Sequence, residues 1–214
     1  MERFDSFRYL YPPRPEVAIP APAIGRYDTG EYIAQPKLNG TCTVLFLDGK
    51  VRAEVYNRHR EEQSNCRMGV QELGCLHRGQ GWMVLVGEYM NKSKAGGDGL
   101  PFNHKLVLFD IMVYEGQLLT GTAFEERLSL LQTLYPPPIG VSEAGLWDTA
   151  HKGVYRVQSY YKGFEDIYGN LIRVDMMEGL VIKRRAAKLE PPLRERNNIG
   201  WQVKVRKPTK NYHF

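Results

Sequence analysis

Cysteine is scarce in this 214-residue chain, with Cys42, Cys66 and Cys75 the whole complement. An odd number at such spacing builds no disulfide framework, so a reducing, intracellular setting is expected. Long hydrophobic runs are missing too. The longest unbroken apolar stretch is Trp82–Val86, far short of the roughly 20 residues a membrane-crossing helix needs, and no membrane partner is expected. The first thirty residues carry prolines at 12, 13, 15, 20 and 22 and no apolar block, which argues against a secretory leader.

What is present suits a globular domain. Apolar residues make up 43% and charged residues 25%, a balance that buries a sizeable core. The charge is unevenly placed. The whole chain carries 29 basic against 24 acidic side chains, a net of +5. Residues 183–210 hold ten of the basic ones (Lys183, Arg184, Arg185, Lys188, Arg194, Arg196, Lys204, Arg206, Lys207, Lys210) against Glu190 and Glu195, a net of +8 that leaves −3 for the rest. A basic excess confined to one region points to a phosphate-bearing partner or to a solvated surface stretch.

Residues 1–30 read as an extended, Pro-rich lead-in, 31–207 as one domain, and 208–214 as a tail. Thr41–Leu47 and Lys50–Tyr56 form a predicted hairpin around Asp48-Gly49, a pair suited to the positive φ of a tight turn. Further strands are expected at Trp82–Met90, Lys105–Tyr114, Gln117–Leu119, Leu180–Lys183 and Trp201–Arg206. Thr122 with Glu125 reads as a capping box before Phe124, Leu128, Leu131 and Leu134, and Pro136-Pro137-Pro138 stops that helix. A second helix is expected within Tyr161–Val174. No regular βαβ alternation appears, so the fold class is α+β.

Six segments carry candidate chemistry, in this order: Gln35-Pro36-Lys37-Leu38-Asn39-Gly40, Asn57-Arg58-His59, Val86-Gly87-Glu88, Leu108-Phe109-Asp110, Glu178-Gly179-Leu180-Val181-Ile182-Lys183, and Lys204-Val205-Arg206-Lys207. A lysine three residues before a glycine, taken alone, also describes a surface lysine before a turn. The ordered set resembles the motifs of the covalent nucleotidyltransferase superfamily: ATP-dependent DNA ligases, RNA ligases and mRNA-capping guanylyltransferases. The resemblance covers about residues 31–207.

That resemblance implies a ligase-type nucleotidyltransferase (adenylation) domain, with antiparallel-rich sheets flanking a nucleotide pocket. It implies ATP and Mg²⁺ (or Mn²⁺) as cofactors. Lys37 takes the place of the nucleophile that attacks the α-phosphate and becomes a lysyl-AMP. An ordinary lysine titrates near 10.4, so offering a free amine at pH 7 costs roughly 4.6 kcal/mol unless positive neighbours or burial favour it. Lys204 and Arg206 are the expected cationic neighbours and phosphate clamps, with Lys207 as the alternative to Arg206. Glu178 matches the metal-binding glutamate, and Glu88 the glutamate that holds ribose or a metal-bound water. Lys183 matches a phosphate-contacting lysine, Phe109 the aromatic that stacks on the purine, and Arg58 the arginine that reaches ribose or phosphates. Gln35 falls where the adenine edge is read, and Asn39 with Gly40 completes the nucleotide-binding set.

Asn39 stands where DNA ligases and capping enzymes mostly carry aspartate, and an amide there resembles RNA ligases. Only Pro208–Phe214 follow the last motif, so no OB-fold is expected, and a nucleic-acid clamp would come from a separate domain or subunit. The implied function is an ATP-dependent polynucleotide ligase joining 5′-phosphate to 3′-hydroxyl ends, RNA favoured over DNA. The alternatives are duplex DNA nick sealing, GTP-dependent capping, and a non-catalytic nucleotide- or RNA-binding module. Cys66, Cys75 and His77 with His59 fit no ordinary zinc spacing. Gly96-Gly97-Asp98-Gly99 lacks the Gly-Lys-Ser/Thr of a phosphate cradle and reads as a surface loop.

Overall fold

A computed structural model describes residues 11–49, 52–92, 94–138, 142–191 and 198–208. The longest apolar segments become the central strands. Strands β5 (Trp82–Met90) and β6 (Lys105–Tyr114) are buried along nearly their whole length. They lie in the middle of a larger sheet with β3 (Thr41–Asp48), β4 (Ala53–Asn57), β7 (Gln117–Leu118), β8 (Ser142–Glu143), β9 (Leu146–Asp148) and β10 (Val154–Val157), ordered β4-β3-β5-β6-β10-β9-β8 with β7 on β6. A four-stranded sheet, β1-β12-β11-β2, is formed by β1 (Arg14–Ala18), β2 (Tyr32–Leu38), β11 (Met177–Arg184) and β12 (Asn198–Arg206). Most of the pairing is antiparallel, with β1–β12 and β6–β10 the parallel pairs among the described residues.

Alternation along the small sheet assigns its two faces. Ala34, Leu180, Ile182, Val203 and Val205 point into a core shared with Ile24 and with Phe164, Tyr168 and Leu171 of α3 (Phe164–Leu171). The intervening residues, Gln35 and Lys37 on β2, Val181 and Lys183 on β11, and Gln202, Lys204 and Arg206 on β12, face the larger sheet across a cavity. Helix α2 (Phe124–Leu134) closes the larger sheet from behind, with Leu131 packing among Leu106, Leu108 and Ile111. The short helix α1 is Val70–Gly74.

Several expectations from sequence need correction. Residues 14–27 are not a lead-in: Arg14–Ala18 is a strand of the small sheet, and Ala21–Tyr27 forms a 3-10 helix carrying the buried Ile24. The β3–β4 turn is longer than two residues, since Asp48 N–H donates to Arg52 O and β4 begins at Ala53. The N-cap of α2 falls one residue later than predicted. Ala123 has no side-chain acceptor, so only the reciprocal half of a capping box forms, with Glu126 accepting from the Ala123 N–H at 2.8 Å. Glu125 instead pairs with Arg185. The 208–214 tail, apart from Pro208, lies outside the described residues, as do Lys50, Val51, Arg194, Glu195, Arg196 and Lys210. No helix among the described residues is long and apolar enough to cross a membrane.

Candidate active site

Strand register fixes what each residue of the small sheet faces. Lys37 pairs with Gly179 and Gly179 with Arg206, so Lys37 and Arg206 share one row. The next row is Gln35–Val181–Lys204, and the third is Ile33–Lys183–Gln202. At about 3.3 Å per residue, Lys37 and the Lys183 row lie about 13 Å apart along the strands. From these rows Lys37, Arg206, Gln35, Val181, Lys204, Lys183 and Gln202 line one cavity of about 810 Å³, together with Cys42, Glu88 and Phe109 from the larger sheet and Arg58 after β4.

Two of the key side chains are displayed by breaks in strand pairing. The β2–β11 register shifts between Met177 and Gly179, leaving Glu178 as an extra residue on β11. A bulge re-aims its residue, and here it turns the Glu178 carboxylate onto the Lys37 amine in an ion pair. Arg206 Nε approaches the same carboxylate at 3.4 Å. Gly179 is required beside it. Its φ is +147°, and a Cβ there would fall 2.0 Å from Val205 O. The second break lies on β6, where Val86 pairs with Asp110 and Gly87 with Leu108, so Phe109 has no partner on β5. Gly87 opposite it has no room for a side chain, since a Cβ would stand 2.7 Å from Val107 O.

Glu88 sits directly across from Cys42 in the β3–β5 ladder, half-buried, accepting the Gly40 N–H at 3.0 Å. Burial drives its carboxyl up to about 7, against the pull of the Lys37 charge and the Gly40 hydrogen bond. Gly40 is small for the same reason, because a Cβ would meet Tyr89 O at 2.6 Å and Glu88 Cγ at 2.9 Å. Burial, followed by the Glu88 charge, pushes the Cys42 thiol up to about 12, so it stays protonated and inert. Burial lowers the Lys204 amine, and the charges of Arg206, Arg14, Lys37 and Arg58 add to that effect. Lys204 also donates to Pro15 O at 3.3 Å.

At the other end, Lys183 is 3% exposed, with its Nζ 5.1 Å from the Phe109 ring centroid and 4.5 Å from that of Phe124. Burial lowers its amine to about 8, opposed by the nearby Asp110 carboxylate. Asp110 is itself held by the fully buried Arg127 through Nε at 3.0 Å and Nη2 at 3.1 Å. Gln35, 1% exposed, donates from Nε2 to Ser159 Oγ at 3.1 Å, and its Oε1 has no hydrogen-bond partner among the described residues.

Ten of the eleven predicted site residues thus meet around one cavity: Gln35, Lys37, Gly40, Arg58, Glu88, Phe109, Glu178, Lys183, Lys204 and Arg206. Asn39 does not. It sits at the β2–β3 turn with its N–H bonded to Met176 O, outside the cavity lining. Lys207 is directed elsewhere, donating to Val174 O and Asp175 O, so Arg206 is the basic residue that enters the cavity. Sequence reasoning missed the wall made by Tyr11–Pro15, including Arg14, and also Gln202. Gln202 was findable, because it continues the every-second-residue run of Lys204 and Arg206.

Among the described residues no three His, Cys, Asp or Glu side chains gather as a self-sufficient metal cage. Glu88 and Glu178 nevertheless fit a hard divalent cation. Both line the same cavity, Glu178 against the Lys37 amine and Glu88 against the Gly40 N–H. Such a pair suits an ion that completes its shell with phosphate oxygens and water.

This architecture is the nucleotidyltransferase-domain fold of ATP-dependent ligases. Among solved structures, the chain is similar to mycobacterial DNA ligase D complexed with ATP and MES, at a TM-score of 0.65 and 17% identity, covering 94% of this chain and 61% of that one. The ligase domain from M. tuberculosis LigD gives the same values. The ATP-dependent DNA ligase from bacteriophage T7 in complex with ATP follows at a TM-score of 0.52 and 15% identity, covering 91% of this chain and 68% of that one. The chain therefore spans about three-fifths of the ligase D chains. No family model matches the sequence, and no curated relative does. At these identities the likeness establishes the fold.

Proposed function

We propose that this chain is the nucleotide-charging unit of an ATP-dependent polynucleotide ligase. The observation that carries the reading is the Lys37 amine at one end of a cavity shared with Glu178, Lys204 and Arg206, with Phe109 and Lys183 in the same cavity. Phe109 offers a flat face for a purine, while the Gln35 carbonyl and the Lys183 ammonium match the adenine 6-amino group and N1. This gives Lys183 to the base, where the family resemblance alone assigned it to phosphate. The Lys37 nitrogen attacks the α-phosphorus, a P–N bond forms, the bond to the pyrophosphate oxygen breaks, and the amine proton is released. Lys204, Arg206 and Arg58 stand ready to hold the charge of the departing pyrophosphate. The AMP then passes to a 5′-phosphate, and a 3′-hydroxyl displaces it.

The Lys37–Glu178 pair must open before the amine reacts. A magnesium or manganese ion, when bound, supplies neutralisation of phosphate charge, and Glu178 with Glu88 would hold it. The strand partner is a polynucleotide end. The expectation of RNA rested on Asn39, which lies outside the cavity lining, and on the absence of an OB-fold after the last motif. The solved structures of this fold reported above are DNA ligases, so duplex DNA nicks stand level with RNA ends.

Incubation with α-labelled ATP and Mg²⁺, followed by a chase into nicked DNA, nicked RNA and mixed duplexes, tests the reading. Label should enter the protein and then a nucleic-acid 5′ end. ATP binding without covalent label selects the non-catalytic alternative, and label from GTP alone selects capping.

A further inference from the structure

One wall of the cavity is the stretch Tyr11-Pro12-Pro13-Arg14-Pro15, in which Arg14 is the charged side chain. Prolines on both sides restrict its backbone. Each fixes its own φ, and Pro15 also holds Arg14 to extended conformations. The stretch is tied to both sheets. On the small sheet, β1 pairs in parallel with β12. There Lys204 Nζ donates to Pro15 O at 3.3 Å, and the Ile19 N–H donates to Lys204 O at 2.9 Å. On the side of the larger sheet, Arg60 follows β4 two residues beyond Arg58. Its guanidinium lies 5.6 Å from the Tyr11 ring centroid and donates from Nη1 to the Tyr11 hydroxyl at 3.3 Å. Arg14 is thereby held half-buried at the cavity wall, which lowers the ordering cost of gripping a ligand.

The strand order sets its direction from the nucleophile. The small sheet runs β1-β12-β11-β2, with Lys37 on one edge strand and Arg14 on the other. The Lys37 amine reaches inward from its own edge, to the Glu178 carboxylate on β11 that Arg206 of β12 also approaches. Displacement at phosphorus runs roughly in line, with the leaving group opposite the attacker. Attack by Lys37 therefore sends the pyrophosphate toward β12 and β1, where Lys204 Nζ sits on the carbonyl next to Arg14. After burial and the Arg206 charge, the Arg14 charge is what lowers the Lys204 amine.

We infer that Arg14 is a further phosphate-binding residue of the cavity, one that grips the β- and γ-phosphates of the nucleotide and the pyrophosphate they become. The inference rests on the nucleotide reading of the cavity. A guanidinium suits this place, because its planar fork matches the paired oxygens of a phosphate.

The test uses the α,β-methylene analogue of ATP, whose bond to the pyrophosphate portion cannot break, beside AMP, which lacks the β- and γ-phosphates. Wild-type protein, Arg14→Ala and Arg14→Gln are titrated with each in Mg²⁺. Covalent labelling of the wild type by ATP is measured in parallel. Both variants should bind the analogue about 5- to 50-fold more weakly than the wild type, the range for one lost contact to a charged group with partial solvent access. Both should bind AMP within about twofold of the wild type. Glutamine keeps much of the arginine stem and decides the matter should alanine not fold. A variant that binds the analogue as the wild type does, or that loses AMP binding to the same extent, overturns the inference while leaving the charging function intact. A wild type that binds neither nucleotide and takes no label overturns both.

Discussion

Glu88 makes the protein less stable at neutral pH than its sheet alone would allow, and the size of that effect follows from its surroundings. Burial raises its carboxyl from the ordinary 4.5 to about 7. A folded-state value above the unfolded one means the folded chain binds the proton more tightly. Stability is then fully present below 4.5 and is lost as pH rises through 7. At about 1.4 kcal/mol per pH unit, the loss between pH 5 and pH 8 comes to about 2 kcal/mol once partial solvent access is allowed for. Glu88→Gln removes the titration while keeping an oxygen for the Gly40 N–H. Urea unfolding in the presence of a chelator, at pH 5, 6.5 and 8, should show the variant close to wild type at pH 5 and more stable by about 2 kcal/mol at pH 8. Other titrating groups are common to both proteins and drop out of the difference. A difference that stays constant with pH refutes the reasoning, because it would mean that the carboxylate is solvated or paired as well in the folded chain as in the unfolded one.

Other expectations bear on the two ends of the cavity. Lys183 titrates at about 8, facing Asp110 on β6, Arg127 on α2 and Cys42 on β3. Raising the pH from 7 to 9 should therefore weaken ATP binding, by roughly tenfold if the charged form is required, and calorimetry on Lys183→Met should show no such pH dependence. Phe109→Ala should cost about 1–3 kcal/mol of ATP binding through lost stacking, and an unchanged dissociation constant would make Phe109 a packing residue only. Arg206→Ala should reduce labelling at least tenfold, about 1.4 kcal/mol of a charged contact, whereas Lys207→Ala should change it less than about twofold. Equal losses in both would contradict the placement of Lys207 on Val174 O and Asp175 O.

The legible parts of the fold were those set by local pattern. β5 and β6 were bounded correctly because Trp82–Met90 and Lys105–Tyr114 are dense in Val, Leu, Ile, Met and aromatics, and strands buried on both faces need such runs. Arg14–Ala18 was illegible for the opposite reason. It is short and carries a proline, and its partner β12 lies at the far end of the chain. The Glu178 and Phe109 bulges were likewise hidden, since a register shift depends on which strands meet, although Gly179 and Gly87 mark where backbones approach. The capping residue of α2 slipped by one because Ala123 offers no side-chain signal. Of the site, the cavity-lining residues were readable through family likeness, whereas Asn39, at the turn after the nucleophile, lies outside the lining with its N–H on Met176 O.

Lys37 is the proposed acceptor of the nucleotide. Wild-type protein and Lys37→Arg, each incubated with ATP and a divalent cation, should be digested and mapped by mass spectrometry. A single adenylyl adduct is expected on Lys37 in the wild type and none anywhere in the arginine variant, because a guanidinium offers no neutral amine. An adduct on another residue, or one that persists in the variant, contradicts that assignment.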